Sequence, residues 1–136
     1  MIFSYRQVVS RGVVRTLPIV PLRLFGPTKH VDLLALVDSG AEQSAMSLKL
    51  LEYLNLSGDG ATAVQIIGVG GKESRGYVLE VDQQLGKYRW TSPVVFSEAI
   101  ESPVILGQAG FFEFFTVTFK RRSLEMDIRR ARDAEI

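Results

Sequence analysis

The sequence predicts a mostly β protein, and three observations predict it. Val, Ile, Phe and Tyr fall in short runs; Gly, Pro, Ser and Asp separate those runs at intervals that suit strands joined by turns; and only one stretch has convincing helical spacing. Taken in order, strands are expected at 13–17, 19–24, 31–37, 63–68, 75–81, 88–96, 104–106, 115–119 and 124–128. Pro18 and Pro21 favour an edge position for the second of these, because proline cannot donate to a ladder. The helix is expected over 47–54, where Leu48, Leu51 and Tyr53–Leu54 fall on roughly one face and Ser47 can cap the free amides. A second helical turn is expected after Gly107, over 108–112, with Gly110 weakening it.

The 136 residues have room for one apolar core, so 1–136 reads as a single domain. The last eight, 129–136, are charged and read as a frayed tail or as a segment that pairs with another chain. Sixteen basic and fifteen acidic side chains nearly cancel, which gives no global field to gather nucleic acid or an anionic membrane. Lys120, Arg121 and Arg122 form the one local basic excess, and their place between two apolar runs suits a charged hairpin tip better than a phosphate site.

The absence of cysteine removes disulfides, thiolate nucleophiles and thiolate metal sites. His30 is the only histidine, so a Ser-His-Asp triad or a histidine metal site is not expected, and no cofactor is. The N-terminus lacks a signal-like apolar stretch and no window approaches a membrane span, which makes a cytoplasmic protein the default expectation. The sequon at Asn55, Leu56 and Ser57 then reads as chance. Gly68-Val69-Gly70-Gly71-Lys72-Glu73-Ser74 matches neither phosphate-loop nor dinucleotide spacing, since Ile66 and Glu73 stand where glycines are required. Trp90 and the run Phe111, Phe112, Phe114, Phe115 are read as core and interface packing, with Glu113 turned to solvent.

The chemistry concentrates at LLALVDSGAEQS, residues 33–44. Five apolar residues, Leu33 to Val37, read as a strand buried on both faces, and Asp38 follows at once. A carboxylate there is costly to bury. Asp38-Ser39-Gly40 alone is a common turn, with the aspartate accepting backbone hydrogen bonds. Two further segments shift the balance. VQIIGVGGKESRGYVLEV, residues 64–81, places a glycine-rich turn between two alternating runs, as in a mobile hairpin. SPVILGQAGFFEFF, residues 102–115, gives a second apolar strand ending in glycine.

In that order the three segments resemble the retropepsin-like aspartic peptidases, over about residues 12 to 128. The resemblance implies a closed or partly open β-barrel of the acid-protease type, with one or two short helices and a flap hairpin. It implies that Asp38 is the catalytic carboxylate, that the Ser39 hydroxyl ties two active-site loops together across a dimer axis, and that Gly40 lets substrate backbone approach. It further implies that Ala41 and Glu42 line subsites, that Gly68, Val69, Gly70 and Gly71 belong to the flap, and that Ile105, Leu106 and Gly107 pack beneath the catalytic loop.

Peptide hydrolysis by this route needs two carboxylates, and the chain has one Asp-Ser-Gly. Asp32, Asp59 and Asp82 lack the same loop context. A two-fold homodimer would supply the second Asp38. The expected activity is therefore that of an aspartic endopeptidase acting on an extended peptide. The alternative is a catalytically silent dimeric domain of the same fold that binds peptides or serves assembly. Many retroviral members pair an acid at the position of Glu42 with an arginine at that of Gln108; glutamine cannot make that ion pair. Lys72, Glu73 and Arg75 make the expected flap unusually charged.

Overall fold

A computed structural model describes residues 1–56, 61–67, 70–100 and 104–136. Its strands run in chain order as β1 (Ile2–Ser4), β2 (Arg6–Ser10), β3 (Val13–Leu17), β4 (Ile19–Phe25), β5 (His30–Val37), β6 (Ala45–Ser47), β7 (Thr62–Ile67), β8 (Glu73–Leu85), β9 (Tyr88–Ser97), β10 (Val104–Leu106), β11 (Phe115–Lys120) and β12 (Glu125–Arg130). One short helix, α1 (Leu48–Tyr53), follows β6, and its first turn is capped by Ser47, whose hydroxyl accepts from the amide of Lys49 at 3.3 Å. The fold is mostly β.

Seven strands make the main sheet in the order β4-β5-β10-β6-β9-β8-β7. β4 also pairs with β8, Arg23 to Phe25 against Gln84 to Asp82, which curls the sheet back on itself. The edge expected from Pro18 and Pro21 is thus confined to the first half of β4. Burial alternates as a pleat requires: in β4, Val20, Leu22 and Leu24 are buried and Pro21 is exposed. Phe96, Phe111, Phe115, Leu106 and Met46 fill the interior, and Trp90 lies edge-on to Phe115 with ring centroids 4.9 Å apart.

The termini form a second sheet, β1-β12-β11. β12 is its middle strand, with Phe3 opposite Met126 on one side and Phe119 opposite Met126 on the other. Residues 129–136 are not free of the body: Arg129 and Arg130 belong to β12, Ala131 N donates to Phe114 O at 2.8 Å, and Ile136 is half-buried against the core. Lys120, Arg121 and Arg122 do sit at the β11–β12 tip, the two arginines in a single 3-10 turn. β2 and β3 form a separate two-stranded ribbon closed by Arg11 and Gly12, both at positive φ as a tight two-residue hairpin turn demands.

Two expectations are corrected. Residues 108–112 form turns and not a helical turn, because Gly110 has φ +96, outside the helical region. Gly110 is fixed by its surroundings: its carbonyl accepts from Trp90 Nε1 at 2.9 Å and Ser92 Oγ at 3.1 Å, and its amide donates to Glu113 at 2.7 Å. The second correction concerns β5, which is not buried on both faces. Ala35 and Val37 face the core, whereas Leu34 is 45% exposed and Leu36 is half-buried.

Candidate active site

Asp38 stands one residue beyond β5, between two segments that the fold fastens together. Its amide donates to Leu106 O at 2.9 Å, continuing the parallel pairing of β5 with β10, in which Leu36 faces Ile105 and Val37 faces Leu106. The period-two alternation of β5 therefore sets the Asp38 side chain on the face of Leu34 and Leu36, away from the core. Oδ1 accepts the Gly40 amide at 2.9 Å, and Ala41 N donates to the Asp38 carbonyl at 3.2 Å, closing a tight turn. Oδ2 takes no part in that turn. The result is a half-exposed carboxylate beside a floor of Leu36 and Ile105, both half-buried.

The loop after Asp38 is laced to the segment after β10. Gln108 N donates to Ala41 O at 2.8 Å, Ala109 N to Glu42 O at 2.9 Å, and Ser44 N to Ala109 O at 3.0 Å. Ser44, fully buried, ties the two a second time: its hydroxyl accepts from Gly107 N and donates to Ala109 O, each at 3.1 Å. Gly107 is obligatory where it sits, since a Cβ there would lie 2.6 Å from the Gln43 carbonyl and 2.8 Å from Ala41 O. The Gln108 side chain makes one further tie, Nε2 donating to the Ser39 carbonyl at 2.7 Å. This glutamine thus holds the Asp-Ser-Gly turn from within its own chain.

Residues 20–109 match the family model described as aspartyl protease. The chain belongs to the aspartyl protease family. Among solved structures, this aspartyl protease family member is similar to EIAV protease complexed with the inhibitor HBY-793, at 19% identity and TM-score 0.53, over 74% of this chain and 88% of that one. It is also similar to a retropepsin-like aspartic protease from Rickettsia conorii, at 14% identity and TM-score 0.63, over 95% of this chain and 97% of that one. At those identities the likeness establishes a retropepsin-like fold. No curated protein matches the chain.

The fold thus assembles Asp38, Ser39, Gly40, Ala41 and Glu42 with Ile105, Leu106 and Gly107 in one place. Gly70 and Gly71 sit elsewhere in the sheet order, in the turn of the β7–β8 hairpin at φ +85 and +76; Gly68 and Val69 lie outside the described residues. Near that turn Gln65 Nε2 donates to Glu73 at 2.7 Å, so one of the hairpin's charges has a local partner.

Among the described residues, neither Asp32 nor Asp82 lies near enough to pair with Asp38. Asp32 is six residues back along β5, about 20 Å by strand rise, and Arg23 holds its carboxyl below the usual range through a hydrogen bond. Asp82 pairs with Phe25, itself opposite His30, so it too is at the far end of the sheet, where Arg89 forks onto it. Asp59 lies outside the described residues. Sequence reasoning missed two contributors. Ser44 carried no signal beyond being a small polar residue ahead of a short strand, whereas Leu36 could have been found by counting back two residues from Asp38.

Proposed function

We propose that this chain is an aspartic endopeptidase that works as a homodimer, with one Asp38 from each copy forming the catalytic pair and 1–136 serving as one peptidase domain. The observation that carries the proposal is the placing of Asp38: a carboxylate presented on the open face of β5, beside apolar Leu36 and Ile105, with Asp32 and Asp82 at the far end of the sheet. A two-fold axis passing beside Asp38 supplies the missing group.

Two carboxylates in close contact cannot both ionise, so the pair holds one proton, as in aspartic proteases generally. The ionised member takes a proton from water as its oxygen attacks the scissile carbonyl, and the protonated member delivers its proton to the carbonyl oxygen. The tetrahedral intermediate then collapses: the ionised carboxylate takes back a hydroxyl proton, the other carboxyl gives its proton to the leaving nitrogen, and the C–N bond breaks. Gly40 leaves the substrate backbone room to approach, Ser39 steadies the paired loops, and Ala41 and Glu42 border the subsites. Leu36 and Ile105 offer apolar contact to substrate side chains. The β7–β8 hairpin with Gly68, Val69, Gly70 and Gly71 is assigned as the flap that adds main-chain hydrogen bonds to an extended peptide.

The test compares wild type with Asp38→Asn on a diverse peptide library at mildly acid and neutral pH, both shown to be folded and dimeric. Cleavage by the wild type and its loss in the variant are expected. Equal cleavage by both, or none by a wild-type dimer, sinks the proposal; the latter with retained peptide binding would identify a silent binder.

A further inference from the structure

We infer that the β2–β3 ribbon is an arm by which one copy of this chain grips a second. The inference rests on the two-carboxylate reading above and specifies which element makes the pairing. The terminal sheet cannot take a partner strand against β12, because β1 and β11 already occupy both of its edges within the chain. The ribbon is different. Among the described residues β2 and β3 pair with each other and with no other strand, and a lone two-stranded ribbon is at best marginal in water.

The ribbon also exposes apolar surface. Directly paired residues share a face, so Val9 and Val14 stand together on one side, 68% and 58% exposed, while Val13, 53% exposed, stands on the other with Val8, Arg6 and Arg15. Among the described residues no strand lies against either outer edge, and the Thr16 carbonyl accepts from Arg121 at 3.4 Å. Surface of this kind calls for a cover.

Its root lies beside the active site. Pro18, the residue after β3, accepts a hydrogen bond from Val37 N at 2.9 Å, one residue from Asp38; at the other end Tyr5 N donates to Leu124 O at 2.8 Å. A five-residue strand spans about 16 Å, so an arm rooted there is long enough to pass a two-fold axis drawn beside Asp38. Charge agrees with the direction of docking. Residues 1–17 carry Arg6, Arg11 and Arg15 and no acid, whereas the remaining residues, 18–136, carry fifteen acids against thirteen bases. The arm of one copy and the body of another are oppositely charged.

The test is sedimentation of the whole chain across protein concentration, for wild type, for the triple variant Val9→Ser, Val13→Ser, Val14→Ser, and for the triple variant Arg6→Glu, Arg11→Glu, Arg15→Glu. Each variant is expected to weaken the dimer dissociation constant at least tenfold while the thermal melt of the dilute monomer stays in place, because these side chains are exposed. Unchanged dimerisation in both variants overturns the inference. So does a wild type that stays monomeric, including one that binds anionic vesicles through the ribbon instead. The two proposals fail separately: an arm-dependent dimer that cleaves nothing refutes the peptidase reading alone, and a peptidase whose dimer ignores the arm refutes this inference alone.

Discussion

Gly107→Ala tests whether the lacing of the Asp38 loop determines the shape of the site. The added Cβ would meet the Gln43 carbonyl carbon and oxygen at 2.6 Å and Ala41 O at 2.8 Å, all backbone atoms. No rotamer change can relieve such contacts, so either the loop or β10 must move. Overpacking against mobile side chains costs about 1–3 kcal/mol. Moving this loop also loosens the bonds from Gln108 N to Ala41 O and from Ala109 N to Glu42 O, each contributing about 0.5–1.5 kcal/mol net. The expected loss is about 2–6 kcal/mol, or roughly 6–24 °C in melting temperature for a chain of this size.

Gly12→Ala is the control, because at φ +75 its Cβ would meet nothing within 4 Å. Only the left-handed backbone penalty of about 1–2 kcal/mol remains. Cleavage should suffer in Gly107→Ala beyond the loss of folded protein, since a displacement of about 1 Å at a catalytic group costs on the order of a hundredfold. Thermal melts and cleavage rates per folded dimer give the two readouts. A Gly107→Ala protein that melts within about 2 °C of wild type and cleaves normally would refute the reasoning.

Ser44→Ala leaves the buried Gly107 amide without its acceptor and should lower stability by about 1–3 kcal/mol, read from the denaturant midpoint; a loss too small to measure would mean that water replaces the hydroxyl. Gln108→Ala removes the tie to the Ser39 carbonyl, an exposed bond, so stability should change by less than about 1 kcal/mol while cleavage falls about tenfold at an unchanged dimer dissociation constant. A dissociation constant that weakens as much as cleavage does would place Gln108 at the interface instead. Asp127, 12% exposed at its side chain, is held below the ordinary carboxylate range by the Arg129 hydrogen bond and then by the Met1 amine. A depressed folded-state value stabilises above the unfolded value of about 4 and is lost as pH falls through the folded one. The stability gap between wild type and Asp127→Asn should therefore close in acid, and a gap independent of pH counts against the ion pair.

Much of the main sheet was legible because its strands are long enough to show a period. In β4, Pro21 and Arg23 alternate with Val20, Leu22 and Leu24, and β10 is bounded by Pro103 and Gly107. β1, β2 and β6 were not foreseen: Ile2-Phe3-Ser4 and Ala45-Met46-Ser47 are too short for a period, and each is held by neighbours distant in sequence, β1 by β12 and β6 by β9 and β10. The misjudged burial of Leu33 to Val37 has a physical cause. A continuous apolar run is the signature of a strand covered on both faces, yet the same run serves a strand with one covered face and one open floor beside a carboxylate. Sequence could place Asp38 after β5, but not the bonds from residues 107–109 that shape its loop, because those depend on a parallel pairing of segments about 70 residues apart.

On the proposed reading, Gln108 changes what dimerisation has to accomplish. The Asp-Ser-Gly turn is held by Gln108 Nε2, by Ser44 and by Gly107, all from the same chain. The shape of each half-site is then a property of the single chain, and on the proposed reading association need only bring two finished halves into register. Such a partnership is free to use a surface outside the active-site loop. The ribbon rooted at Pro18 meets that requirement, because it is exposed, cationic and one hydrogen bond from the strand that carries Asp38. Substitutions in the ribbon and in the loop should accordingly act on different quantities, the first on association and the second on turnover within the dimer.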